Sequence, residues 1–327
     1  MITRLCIGLP LLLIVLNLGP LYGEALTGET GLHWQPLEGQ MSIEVVDVSR
    51  FCRLVPPAKK VRIEETVLYG VAHYKITTPK ATYFLDRLAG GFSSIIDEDG
   101  WDWVAYRPAR NKTVPGSAGN AFRGLPNMVF LPGRDEGAGH PGFSATQSVK
   151  KVAKNRIRCV SNSGKFVWEF TFWDTYLRME LLKTDPKLPH WILYEGPVGG
   201  TYHPAEAYWG TADSISYQTP NLMEGGPRLL NESWCYFGDK NTPRVFFAVQ
   251  QQADDHPDLL AYMGAEAAGL KSSDGMIVFG FGRDGNTRPQ ITAPNTYYFG
   301  FYPHNLHREP DKRKELRVFI ELLRRMN

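Results

Sequence analysis

The amino-acid sequence predicts an all-β protein, a large antiparallel β-sandwich (supersandwich) with a C-terminal helix. Short runs rich in β-branched and aromatic residues recur along the chain and are separated by turn residues. Strands do not alternate with amphipathic helices of about 10 to 15 residues, so a parallel α/β sheet is not predicted. A helical spacing of apolar residues occurs only after Pro310.

Residues 1 to about 25 predict a cleavable signal peptide. Arg4 precedes an apolar run from Leu5 to Leu18, and Gly23 and Ala25 supply small residues at its exit. The run is too short for a bilayer span, which needs about 20 apolar residues. We therefore expect export to a periplasmic or extracellular location, with no membrane span after cleavage.

The next segment, residues 26–60, is interpreted as a lead-in to the main domain. It contains one predicted strand, Met41 to Val48, and ends at the exposed hinge Pro56-Pro57. Residues 61–327 are predicted to form the β-sandwich with its closing helix.

The strands of this domain follow from runs of β-forming residues, and an acidic glycine turn at Asp97 to Gly100 predicts a hairpin. Strands are predicted at Val67 to Thr77, Ala81 to Leu85, Phe92 to Ile96, Trp101 to Tyr106, Arg156 to Ser161, Phe166 to Trp173, Tyr176 to Lys183, Trp191 to Glu195, Ser233 to Phe237, Arg244 to Gln250, Gly275 to Gly282 and Thr296 to Tyr302. The apolar face of the predicted helix consists of Leu316, Phe319, Ile320 and Leu323.

Charge and cysteine content bound the function. The 36 basic and 34 acidic residues leave a net charge of +2, so no global field favours nucleic acid. Cys159 and Cys235 lie in predicted strands and are expected to be buried thiols, while a disulfide from Cys52 stays open. The spacing matches no zinc motif, and no cofactor is expected.

A first candidate cluster lies between residues 123 and 140. Arg123 and Arg134 can hold a sugar carboxylate or paired hydroxyls through the planar guanidinium fork. Asn127 and Asp135 add hydrogen-bonding groups, and His140 can move a proton near neutral pH. The alternative is a glycine-rich loop whose polar groups satisfy its own backbone.

A second cluster begins where a predicted strand runs into Glu195 and a glycine-rich turn. Glu195 is a candidate base at the rim of a sheet, with Tyr202 or His203 as its acid partner. Glu206 and Trp209 are candidate substrate-binding residues, since an aromatic ring can stack on the apolar face of a pyranose. Alternatively, Glu195 forms a salt bridge or caps a turn, and Trp209 belongs to the core.

A third cluster, Asp254, Asp255 and Asp258, has two readings. Several carboxylates close together suit Ca²⁺, but acidic residues in the first turn of a helix explain them equally well. We predict no metal site. Motifs for a nucleophile elbow, a zinc protease or a dinucleotide fold are not found in the sequence.

One stretch resembles a known fold family. The run Gly90 to Trp103 is similar to the opening hairpin of galactose-mutarotase-like β-supersandwiches. Together with Trp191 to Gly196 and Asp274 to Arg283, it also resembles a group of exported bacterial proteins without a known activity. The resemblance implies a sugar-handling sandwich. Epimerases of that class use a histidine acid and a glutamate base, but their Asn-His pair followed by an aromatic is not found here, so no residue role is transferred.

These patterns predict an exported β-sandwich that binds or processes a polysaccharide or oligosaccharide. If it is an enzyme, we expect acid/base cleavage, as a lyase or as a hydrolase that pairs Glu195 with Glu206 or Asp135. The alternatives are a non-catalytic glycan-binding protein and a structural surface protein. The hypothesis requires His140 and Glu195 to meet at one rim of the sheet.

Overall fold

The computed structural model describes residues 12–15, 44–47, 58, 60–108, 122–128, 138–211, 215–216, 228–230, 233–263 and 274–325. The chain divides into two units, Met1–Leu54 and Val55–Asn327. In the first unit, β1 (Leu12–Val15) pairs with β2 (Glu44–Asp47) in antiparallel fashion. Strand β1 lies inside the segment that the sequence predicts to be a signal peptide, and β2 lies inside the strand predicted at 41–48.

The second unit is built from antiparallel strands, which confirms the predicted fold class. Its strands are β3 (Arg62–Leu68), β4 (Val71–Thr77), β5 (Ala81–Asp86), β6 (Phe92–Asp97), β7 (Thr146–Ala153), β8 (Arg156–Ser161), β9 (Val167–Phe172), β10 (Tyr176–Lys183), β11 (Ile192–Gly196), β12 (Ala207–Gly210), β13 (Ile215–Ser216), β14 (Arg228–Leu230), β15 (Trp234–Asp239), β16 (Val245–Gln250), β17 (Asp258–Met263), β18 (Met276–Phe281) and β19 (Thr296–Tyr302). The described residues form a nine-stranded sheet in the order β13-β12-β15-β16-β19-β10-β9-β8-β7. Two four-stranded sheets have the orders β3-β4-β5-β6 and β11-β18-β17-β14.

Both small sheets pack against the large one through aromatic side chains. Phe92 of β6 lies 4.8 Å from Phe170 of β9, measured between ring centroids. Tyr194 of β11 lies 4.7 Å from Phe246 of β16. These rings belong to one buried hydrophobic core, so the small sheets and the large sheet form the predicted sandwich.

Helix α1 (Lys312–Arg325) closes the unit as predicted, with Leu316, Phe319, Ile320 and Leu323 buried. The ring of Phe319 lies 5.7 Å from that of Phe247 in β16. The basic residues Lys314 and Arg317 are exposed, whereas Arg324 Nε donates to Gln251 O of the sandwich at 3.2 Å. No helix within the described ranges has the length and apolar content to cross a membrane.

Two predicted strands differ from the structure, one because of side-chain hydrogen bonds and one because of a tight backbone turn. The prediction for Trp101 to Tyr106 is wrong, because Asp102 Oδ1 accepts backbone N–H groups from Ile95, Val104 and Ala105 and turns the chain. The single strand predicted over Val67 to Thr77 reverses at Tyr69-Gly70, where both residues have left-handed φ.

Other strands were not predicted from the sequence. These are β7, β12, β13, β14, β17 and most of β3, and β17 begins at Asp258, where a helix start was the alternative interpretation. Cys159 and Cys235 are free buried thiols, as predicted, whereas Cys52 lies outside the described residues.

Candidate functional site

The site begins at β11, the edge strand of one small sheet. Beyond this strand, the segment 122–128 runs alongside and pairs with it through backbone hydrogen bonds. Gly124 N donates to Glu195 O at 2.9 Å, and Glu195 N donates to Gly124 O at 3.0 Å. Further along, Trp191 N donates to Met128 O at 2.7 Å. Segment 122–128 therefore covers the open edge of the sheet and places its own side chains beside Glu195.

Strand alternation decides which side chains face this segment. Ile192 and Tyr194 point into the main core, so Trp191, Leu193 and Glu195 share the opposite face. These three side chains line a cavity of about 280 Å³. Its other lining residues are Phe122, Asn127, His140, Met263, Met276, Val278, Arg283 and Thr287. A mostly apolar cavity with a few convergent polar groups is the usual form of a small-molecule site.

Glu195 is a buried carboxyl group in the wall of this cavity, with 6% of the residue exposed. Asn127 Nδ2 donates a hydrogen bond to Glu195 Oε2 at 3.1 Å, and no described residue donates to Oε1. Burial raises the pKa of Glu195 to about 7, against the opposing effects of Arg283 and of the Asn127 bond. Glu195 therefore exchanges a proton near neutral pH, as a general acid or base must.

His140 lies next to this carboxyl group, with Nε2 at 3.9 Å from Glu195 Oε2. Both ring nitrogens face carbonyl oxygens at 2.9 Å, those of Pro141 and Phe122. Burial lowers the pKa of His140, while the two carbonyl groups raise it. A neutral imidazole ring has one N–H group and can donate to only one of these carbonyls. Glu195 and His140 can share one proton, because the net charge is the same whether the proton is on the carboxyl group or on the ring.

The position of His140 depends on close backbone packing. Gly139 N donates to Ala89 O at 2.7 Å, and Asn127 N donates to Gly139 O at 3.2 Å. A Cβ atom on Gly91 would overlap the carbonyl oxygen of Gly139. The segment that bears His140 is thus held between the Ala89–Gly91 corner and segment 122–128.

Arg283 and Trp191 also belong to the cavity, and the sequence analysis did not identify either as a site residue. Arg283 Cζ lies 5.2 Å from the centroid of the Trp191 ring, within the range of a cation–π contact. The alternation that starts from Glu195 could have predicted Trp191. Arg283 follows Gly282, whose φ is +66°, and no local pattern in the sequence marks this turn as part of a site.

Three polar atoms of the cavity-lining residues are buried without a hydrogen-bond partner. They are Asn127 Oδ1, Trp191 Nε1 and Arg283 Nε. Buried polar groups in native proteins are rarely left unsatisfied. All three side chains line the cavity, whose walls therefore contain polar groups beside apolar ones.

The remaining members of the first cluster do not join this site. Arg123 is buried, and its Nη2 donates to Asp274 Oδ1 at 2.5 Å and to Gly275 O at 2.7 Å. The charge of Arg123 is therefore used in an internal ion pair, and Arg123 does not line the cavity. Arg134 and Asp135 lie outside the described residues.

The second cluster separates from Glu195, and none of its other members lines the cavity. Tyr202 packs beside Gly275, and the exposed His203 has its Nδ1 at 3.3 Å from Asp239 Oδ2. Glu206 lies 3.5 Å from Lys240 Nζ. Trp209 is 5% exposed within the core, so stacking on a sugar is not available to it.

The acidic residues near 254–258 serve local structure. Asp254 accepts hydrogen bonds from Gln250 Nε2 and His256 N, and Asp258 accepts one from Gly282 N. Within the described part of the chain, no group of three or more His, Cys, Asp or Glu side chains is arranged to hold a metal ion. The helix reading is wrong, because a strand begins at Asp258.

Comparisons with known proteins give fold likenesses only. No family model matches the chain, and no curated protein matches it. Solved structures similar to it include HI1317 (TM-score 0.46, 9% identity, covering 76% of this chain and 97% of that one). A protein described as a putative mutarotase, YeaD from Salmonella typhimurium, has a TM-score of 0.46, 11% identity and the same two coverages. A galactose mutarotase related enzyme from Lactobacillus acidophilus has a TM-score of 0.44 and 9% identity, covering 71% of this chain and 98% of that one.

Two of these neighbours are described as mutarotase-related, the fold class that the Gly90 to Trp103 hairpin resembles. The protein is an antiparallel β-sandwich, and the face of a small sheet that points away from the core carries a cavity with a titratable carboxyl group, that of Glu195.

Proposed function

We propose that this protein binds one ring of a carbohydrate in the β11 cavity and transfers a proton there, with Glu195 as the acid/base. The observation that carries the proposal is the carboxyl group of Glu195, held 3.9 Å from His140 in a ligand-sized cavity with its pKa raised to about 7. A group with a pKa near the working pH is the most efficient proton carrier.

The size and lining of the cavity support a single ring as the ligand. At about 30 Å³ per water molecule in the liquid, 280 Å³ holds roughly nine waters, which is close to one hexose. Trp191, Leu193 and Val278 supply apolar surface, and Asn127, Glu195 and Arg283 supply polar side chains. A sugar ring offers matching C–H faces and hydroxyl donors.

Proton transfer is better supported than hydrolysis by two carboxylates. Glycosidases of that type place two carboxyl groups on either side of the scissile bond. Among the described residues, Glu195 is the only carboxylate that lines the cavity, and Glu206 pairs with Lys240 elsewhere. Elimination or epimerisation needs one base and a neighbouring proton source, which Glu195 and His140 supply.

Sugar binding without turnover is the second candidate. Both nitrogens of His140 face backbone carbonyl groups, an arrangement that positions the ring and leaves it poorly placed to reach a ligand. In that case Glu195 acts only as a hydrogen-bonding group.

The test is a panel of uronate-containing and neutral glycans incubated with the full chain and with Glu195→Gln. Elimination gives a conjugated product that absorbs in the ultraviolet, and hydrolysis gives new reducing ends without that absorbance. Epimerisation at the carbon next to a carboxylate incorporates solvent deuterium there, which NMR detects. We expect a product from one glycan class and a loss of about 100-fold or more in Glu195→Gln.

Glu206→Gln is the matched control, since it makes the same chemical change outside the cavity. It should retain the wild-type rate. Equal activity in Glu195→Gln and the wild type would contradict the acid/base role. Binding of a glycan without product would favour sugar binding without turnover. If no glycan is bound and no product forms, both proposed functions are wrong.

The proposal includes export with removal of residues 1 to about 25. Arg4, the apolar run and the small residues at Gly23 and Ala25 support it. Mass spectrometry of the secreted protein should give an N-terminus near residue 24 to 26. A full-length protein retained inside the cell would contradict export.

A further inference from the structure

Arg283 places a guanidinium group in the wall of the cavity, where the ionised form of Glu195 attracts it. No carboxylate of the described residues lies within salt-bridge distance of Arg283, and its guanidinium makes no hydrogen bond to them. The nearby Asp284 is already used, since its carboxylate accepts the N–H groups of Asn286 and Arg288 and the side-chain amide of Gln290.

Two fully buried arginines show how the protein pairs such a charge, whereas Arg283 is half-buried. Arg123 has Asp274 at 2.5 Å, and Arg244 has Asp97 at 3.2 Å and Glu98 at 2.6 Å. A charged group removed from water is costly unless it is paired. Arg283 departs from this pattern in a cavity wall, where a ligand can supply the missing charge.

The surroundings of Arg283 indicate how the partner would be held. The guanidinium lies over Trp191, so the ring restricts it and leaves its edge to face a ligand. Its Nε is covered by protein atoms, so the two terminal nitrogens are the donors left for a ligand. A planar oxyanion that accepts two parallel N–H bonds matches this donor edge.

From this arrangement we infer that the cavity selects an acidic sugar, a uronate whose carboxylate binds Arg283 while the ring lies beside Glu195. This assignment rests on the proposed function and names its substrate class. When Glu195 is protonated and His140 neutral, the cavity carries one positive charge, which one carboxylate balances. A phosphate ester carries up to two negative charges and would leave one unmatched.

The experiment measures binding by calorimetry in the Glu195→Gln protein, so that turnover does not enter. The probes are D-glucuronate and D-galacturonate, each against its neutral parent sugar, and D-glucose 6-phosphate. We expect one uronate to bind about tenfold or more tightly than its parent sugar and than the phosphate ester, with affinity falling as salt rises.

Substitution then assigns the preference to one side chain. Arg283→Gln should reduce uronate affinity about tenfold or more and leave the neutral sugar unchanged, and Arg283→Lys should show a smaller loss. Arg288→Gln is the matched control, since it removes a positive charge from the same turn at an exposed position and should change nothing. Thermal melting of each variant establishes that it is folded.

Equal affinity for acidic and neutral sugars, a preference for the phosphate ester, or equal losses in Arg283→Gln and Arg288→Gln would each overturn the assignment. Failure of the acid/base proposal is a different result, in which the wild type binds the uronate selectively but forms no product. Absence of binding by every probe overturns the inference itself.

Discussion

Three features of the structure make Glu195 the residue of the site best suited to transfer a proton. Strand alternation points its side chain to the cavity face, burial removes the carboxyl group from water, and Asn127 donates to only one of its oxygens. The sequence predicted Glu195 as a base because it follows an apolar strand and precedes a glycine-rich turn. It could not predict the raised pKa, which depends on side chains from segment 122–128 and from β18.

The first prediction follows from the pKa of Glu195. Its folded value of about 7 lies above the ordinary value of 4.5, so the folded state holds the proton more tightly. Protonated Glu195 therefore contributes about 3 kcal/mol to the free energy of unfolding. This contribution is fully present below pH 4.5 and is lost as the pH rises through 7. Glu195→Gln has no such loss, so its gain over the wild type should grow from near zero at pH 4 toward about 3 kcal/mol at pH 8. Urea unfolding measures this difference, and a gain that does not change with pH would contradict the account.

At the scale of elements, the site depends on contacts between segments far apart in the sequence. The sequence predicted β8, β10 and β19 with the observed bounds, because each is a run of β-forming residues between flanking turns. It also placed His140 and Glu195 in separate polar loops that meet, and the structure joins them through segment 122–128. It did not separate Glu195 from Tyr202 and His203, because nearness in sequence does not show that the chain turns away after Gly196.

A second prediction tests the close backbone contact that holds the His140 segment. Gly91→Ala places a methyl group against the backbone of Gly139, which cannot move without breaking its bonds to Ala89 and Asn127. We expect the free energy of unfolding to fall by about 3 kcal/mol. Gly70→Ala is the control, because the added methyl group faces open space and only the left-handed φ of +79° is unfavourable for alanine. We expect it to lower the free energy of unfolding by about 1 kcal/mol. Equal costs in urea unfolding would show that the contact does not constrain the segment.

For the molecule as a whole, the all-β class and the closing helix followed from composition and periodicity, since these reflect burial against a shared core. The order of strands did not follow, because pairings such as β16 with β19 join distant parts of the chain. The core also encloses His190, which is fully buried and whose two ring nitrogens have no hydrogen-bond partner. No sequence pattern predicted this histidine as a factor in stability.

The third prediction concerns the stability of the whole molecule in acid. Burial lowers the pKa of His190 from 6.5 to about 4, so the unfolded chain takes up the proton first as pH falls. The resulting loss begins near pH 6.5 and reaches about 3 kcal/mol by pH 4. His190→Phe keeps an aromatic ring beside Phe166 and removes this term. Its stability relative to the wild type should therefore rise as pH falls through this window, and a constant difference in urea unfolding would contradict the assignment.

Glu195 should titrate near neutral pH in a cavity that binds a sugar. The most direct measurement is a pH titration of the Glu195 carboxyl carbon by NMR in ¹³C-glutamate-labelled protein, assigned with Glu195→Gln and repeated with each sugar of the panel. We predict a midpoint near pH 7 that shifts when one sugar class is added. A midpoint below pH 5, or one that no sugar moves, would contradict the account.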